Sequence, residues 1–154
     1  MSLPAKPSRP RARGKRAEPT LLYVMKQLEL AVRARLDELV KPAGLTALQY
    51  TALTVLELHP GLASAQLARH SFVTAQSMAD MVTALLDRGL VERDRDPEDR
   101  RRLVLALTDE GHALLRRYRP KVAALEVEML AGLSPAQVVQ LRESVVACRE
   151  NLAP

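Results

Sequence analysis

Between Leu90 and Thr108 the chain reads LVERDRDPEDRRRLVLALT, and no other stretch restricts its fold so tightly. Leu103, Leu105 and Leu107 recur two apart, so they line one face of an extended strand. Asp96 and Pro97 punctuate a turn between this run and the preceding short apolar one. The pattern predicts a hairpin with Arg100, Arg101 and Arg102 at its tip. Three adjacent guanidinium groups are costly in a core and well suited to phosphates or a narrow duplex groove. Any body this chain folds into must therefore present the hairpin at its surface, next to the helical segment that precedes it.

That body reads as helical. Leu21, Met25, Leu28, Val32, Leu36 and Leu39 recur at three- and four-residue steps, predicting a long amphipathic helix ended by Pro42 and Gly44. Thr46 and Gln49 have capping-box spacing and open a second helix, to about His59. Ser64 is the expected cap of a short third helix over 65–70, and Thr74 of a fourth that stops at Gly89. After the hairpin, Thr108 with Asp109 and Glu110 starts a fifth helix to about Ala131. Ser134, Pro135 and Gln137 signal a sixth. The expected fold class is mainly α with a small β-hairpin wing (α+β). Helices three and four form a helix-turn-helix with the hairpin beside them.

Length and charge narrow the function. At 154 residues the chain supports one domain with a proper core. Residues 1–19 hold six basic side chains against Glu18, so their +5 equals the net charge of the whole chain. Residues 20–154 are left with 17 basic and 17 acidic groups, so basicity there is a matter of local placement. We read 1–19 as a disordered basic tail, either a solvated terminus or a source of non-specific attraction to phosphates. The single cysteine, Cys148, rules out an intrachain disulfide framework. No apolar run approaches the roughly 18–20 residues of a membrane span, and the N-terminus lacks a signal-type apolar region, so the expected location is the cytoplasm. With one Phe, three Tyr and no Trp, stacking on single strands is a poor fit. Catalysis finds no Gly-rich phosphate loop, nucleophile elbow or HExxH, so no enzymatic activity is expected.

Placing residues 75–88 at 100° steps puts Met78, Met81, Val82 and Leu85 in one arc, the core face. Gln76, Asp80, Thr83 and Asp87 lie opposite, with Ser77 on the flank. Gln76, Ser77 and Asp80 occupy the half of this helix that would enter a major groove. Gln reads an adenine edge, Ser several bases, and Asp accepts from cytosine N4. Thr74 and Ser64 are expected at the DNA backbone, where a helix dipole also favours an anion. An amphipathic helix has a polar outer face in any case; the arginine hairpin beside it favours DNA.

The runs at 74–78 (TAQSM), 85–91 (LLDRGLV), 96–101 (DPEDRR), 105–111 (LALTDEG) and 45–50 (LTALQY) resemble the MarR family of bacterial transcriptional regulators, over about residues 20–152. The resemblance implies an obligate homodimer in which the first, fifth and sixth helices interlock. It implies a fourth helix in the major groove and a wing in the adjacent minor groove, with Asp99 orienting Arg101. It also implies repression relieved by a small phenolic or anionic effector bound between the dimer helices and the DNA-binding lobe. On this reading 20–152 is one winged-helix domain, with a DNA-binding lobe at 46–108 and dimerisation helices at 20–41 and 109–152. The family often carries a basic residue where this chain has Asp80, so Asp80 either reads a base or pairs with a nearby arginine.

Other residues invite stories. Cys148 shares a stripe with Leu141, Val145 and Leu152 on the sixth helix, which makes it a small hydrophobe at a dimer seam rather than a redox sensor. His59, His70 and His112 fall in different elements without ligand-like spacing, so no metal and no cofactor is expected. Tyr23 and Tyr50 are loose candidates for an effector pocket. The expected partners are a pseudo-palindromic double-stranded operator and a second copy of the chain, with no membrane. The competing reading is a winged-helix module that binds protein rather than DNA.

Overall fold

Helix starts in this chain are set by threonines and serines. In the computed structural model, which describes residues 17–153, Thr20, Thr46, Thr74, Thr108 and Ser134 each accept a hydrogen bond from the backbone N–H three residues on. Gln49 and Gln137 return the bond to the capping residue's own N–H, completing capping boxes. These caps open α1 (Leu21–Val40), α2 (Ala47–Leu58), α4 (Ala75–Asp87), α5 (Asp109–Met129) and α6 (Pro135–Leu152). The short α3 (Ser64–His70) departs from the expected pattern: Ser64 is its first residue and Ala63 its cap. Alanine has no side-chain oxygen to cap the first helical N–H groups, and only the reciprocal half of a capping box forms, Gln66 Oε1 accepting from Ala63 N–H at 3.0 Å.

Helix ends are equally specific. After α1, a 3-10 turn over Lys41–Ala43 carries Pro42 and closes on Gly44. At the end of α4, Leu90 N–H bonds Leu85 C=O and Gly89 N–H bonds Leu86 C=O, both at 3.0 Å, with Gly89 at φ +67°. This double closure needs a left-handed residue, normally glycine. The same closure ends α3, through Val73 to Ala68 (3.1 Å) and Phe72 to Arg69 (3.3 Å), but there the left-handed residue is Phe72 at φ 55°. Such a conformation costs a residue with a Cβ roughly 1–2 kcal/mol.

Strands β1 (Val91–Arg95) and β2 (Leu103–Leu107) pair antiparallel, with Val91 opposite Leu107 and Arg95 opposite Leu103. The inward face runs as expected through Leu105 and Leu107, while Leu103, nearest the tip, is exposed. A third partner joins the sheet at one point. Leu105 N–H donates to Leu62 C=O at 2.8 Å and Leu105 C=O accepts from Gly61 at 3.1 Å. This tether fixes the wing to the α2–α3 connection.

The core gathers Val40 of α1, Leu53 and Leu56 of α2, and Leu67 of α3. Met78, Val82 and Leu85 of α4 join them, with Leu105 of the wing and Leu115 of α5. Helix α6 has no buried residue, and α1 buries only Val40. Within the described residues no helix is long and apolar enough to cross a membrane.

Candidate nucleic-acid interface

Hydrogen bonds within the helix link the side chains on the polar face of α4. Thr74 Oγ1 accepts from Ser77 N–H at 3.1 Å and donates to Ser77 Oγ at 2.9 Å. Gln76 Nε2 donates to Asp80 Oδ1 at 3.3 Å. Thr74, Gln76, Ser77 and Asp80 are all exposed, while Met78, Val82 and Leu85 anchor the opposite face. Of the two roles left open for Asp80, the arginine pairing does not form; its partner is Gln76, one turn back on the same helix.

At the wing tip, acidic side chains satisfy the backbone. Asp96 Oδ1 accepts from Glu98 N–H at 3.0 Å, and Asp99 Oδ1 from Arg101 N–H at 3.1 Å. Backbone bonds from Arg102 to Asp99 and from Asp96 to Arg102, both 2.9 Å, close the loop. Arg95 Nη1 adds a brace to Arg100 C=O at 2.6 Å. Asp99 therefore meets Arg101 at its main chain, in an Asx turn, and not at its guanidinium. Arg100 and Arg101 are exposed.

Arg102 is placed differently from its two neighbours. Its guanidinium donates to Gln66 Oε1 on α3 and lies 3.5 Å from Asp96 Oδ2. Arg102 thus fastens the wing to α3 and to its own loop, which neither Arg100 nor Arg101 does through its side chain. Gln66 and Arg95 brace the wing, and sequence reading singled out neither. The signal for Gln66 was its place three residues after the cap, the slot already recognised at Gln49 and Gln137. Ser64 is half-buried at the first turn of α3.

A cleft of about 390 Å³ opens between α1, α2 and α5, lined by Leu36, Tyr50, Thr54, Arg119, Val122 and Glu126, among others. Arg119 reaches both carboxylate oxygens of Glu57 on α2, at 2.7 and 2.8 Å. Burial pushes the Tyr50 phenol above its ordinary pKa, with Arg119 opposing, so this hydroxyl stays a neutral donor at physiological pH. Tyr23, the other tyrosine singled out, is exposed on α1 and accepts from Gln27 at 3.1 Å. His59 and His70 come together, ring centres 4.9 Å apart, although sequence placed them in separate elements. Among the described residues no three His, Cys, Asp or Glu side chains are grouped to hold a metal ion.

Helices α3 and α4 with an arginine-tipped two-stranded wing define a winged helix-turn-helix protein. The profile of the MarR family matches residues 43–102. The chain is 35% identical over 115 residues to the HTH-type transcriptional repressor Rv2887 of Mycobacterium tuberculosis, over 75% of this chain and 83% of that protein. The crystal structure of Rv2887 in complex with salicylic acid superposes with a TM-score of 0.70 at 31% identity, covering 85% of this chain and 97% of that one. The transcriptional repressor CouR bound to a 23-mer DNA duplex gives 0.69 at 30% identity, covering 88% and 93%. CouR from Rhodococcus jostii RHA1 bound to p-coumaroyl-CoA gives 0.74 at 25% identity, covering 81% and 88%. This chain belongs to the MarR family of transcriptional regulators.

Proposed function

We propose that the chain acts as a homodimeric repressor that binds a pseudo-palindromic duplex site and releases it when a small aromatic acid enters the α1–α2–α5 cleft. The observation that carries this reading is the pairing of a preset polar α4 face with a wing whose own acids hold the loop and leave Arg100 and Arg101 exposed. Gln76 and Ser77, with Asp80, are assigned to base edges, and Thr74 and Ser64 to the DNA backbone. Arg101 is assigned to the minor groove. Half-sites lie about one helical turn, roughly 10 bp, apart.

The cleft supports the effector part. Its apolar wall suits an aromatic ring, and Arg119 with the Tyr50 hydroxyl suits a carboxylate. Both related repressors carry acid-derived aromatic ligands in their complexes, salicylic acid in one and p-coumaroyl-CoA in the other. Exposed apolar residues along α1 and α6 support the dimer. On this reading 46–108 is the DNA-binding lobe and 20–41 with 109–152 the dimerisation helices.

The test is fluorescence anisotropy with the duplex upstream of the chain's own coding sequence, with and without salicylate. Millimolar salicylate should weaken binding, and Arg119→Gln should blunt that response while leaving ligand-free affinity intact. Binding unaffected by salicylate and by other aromatic acids would remove the effector from this account.

A further inference from the structure

Phe72 carries two costs that the fold does not require of it. It is the only phenylalanine in the chain, and its side chain stands 81% exposed. It also takes the left-handed conformation, φ 55°, in the turn that closes α3. Helix α4 shows within the same molecule how such a closure is made cheaply, with Gly89 at the equivalent position. Glycine at 72 would form the same two backbone bonds without a crowded Cβ and without a ring in water. Ser71, one residue earlier, adds to the disfavour, since its buried Oγ has no hydrogen-bond partner. A non-glycine residue held in this region, at a turn, with its side chain outward, is the kind of outlier from which a role can be inferred.

The position of the turn says what the role is. Phe72 stands two residues before Thr74, the cap of α4, and so at the end of α4 that carries Gln76 and Ser77. An apolar ring at that end has one good partner on the major-groove edge of a duplex, the C5 methyl of thymine. Gln76, Ser77 and Asp80 provide hydrogen-bonding groups and no comparable apolar surface. We propose that Phe72 is a DNA-contacting residue whose ring seats against a thymine methyl at the edge of each half-site. The proposal rests on the DNA-binding reading above and adds a base preference to it.

The decisive variant is Phe72→Gly, because stability and binding should move in opposite directions. Removing the left-handed strain should raise Tm by about 2–4 °C. Affinity for the upstream duplex should fall about tenfold, the scale of one lost base contact. A third arm replaces thymidine by deoxyuridine throughout that duplex, which deletes the methyl groups. The wild-type chain should lose affinity for the substituted duplex, and the glycine variant should lose markedly less. A glycine variant that binds like wild type overturns the proposal, as does one equally sensitive to deoxyuridine. A variant that melts lower and binds less assigns the ring a structural role and overturns it too. A changed oligomeric state in sedimentation would move the ring to a contact between chains. If the wild-type chain does not prefer the upstream duplex over a scrambled one, the DNA-binding reading itself fails and the proposal falls with it.

Discussion

Arg101 and Arg102 are neighbours with the same side chain in opposite situations. Arg101 is exposed and has only its backbone held, by Asp99; Arg102 is engaged with Gln66 and Asp96. Arg101→Ala should therefore weaken DNA binding strongly, reduce the salt slope of log Kd by about one, and leave Tm unchanged. Arg102→Ala should lower Tm by about 2–4 °C, because the lost hydrogen bonds hold the wing to α3. Paired melting curves and salt titrations read both outcomes, and a Tm loss in the Arg101 variant would merge two roles that the geometry separates. The run of three arginines was legible in sequence as a basic tip. Which of the three is tied down was not, because Gln66 lies 36 residues from Arg102 and only the folded wing brings them together.

At the scale of elements, the fold rests on local signals that agree with one another. Five of six helices start at a Ser or Thr whose side chain meets the N–H three residues on, and those starts were readable because the bond is local. The third helix starts at Ser64, one residue earlier than its serine suggests, because its cap is Ala63, a residue with no side-chain capping signal. The Leu62 tether to Leu105 left no periodic signal, since a single bridge has no alternation to detect. Helix α5 also runs through Pro120, a residue that sequence rules would use to end it. Packing between elements leaves no room for a side chain at Gly111, where an added Cβ would lie 2.2 Å from Leu90 C=O. Gly111→Ala should destabilise the chain by about 1–3 kcal/mol by forcing α5 away from Leu90, in the connection between α4 and β1. Urea unfolding measures this directly, and an unchanged midpoint would mean that α5 shifts at little cost.

For the whole molecule, the apolar side chains that the chain leaves uncovered lie mostly on its long helices. Leu21, Leu22 and Tyr23 on α1, Val127 on α5, and Val139 and Leu141 on α6 remain in solvent, and α6 buries nothing. Surface of this extent on one set of helices calls for a second copy. Cys148 is exposed in the single chain, and its expected place at a seam depends on that copy. Sedimentation equilibrium should give a dimer at micromolar concentration, and Val145→Glu should shift it towards monomer and weaken DNA binding with it. Sequence periodicity exposes these stripes and places the sixth helix's at a dimer seam, an assignment that spacing alone does not make, since core and seam present the same apolar spacing. The reading of 1–19 as a basic tail falls mostly outside the described residues, so DNA binding should be compared in its presence and absence. The most direct test of the central claim is anisotropy of the full chain against its upstream duplex and a scrambled duplex across a salt series. The full chain should prefer the upstream DNA, bind it with a dimer stoichiometry, and keep that preference when residues 1–19 are removed. Weak binding that falls equally on both duplexes as salt rises would contradict it and return the wing to protein recognition.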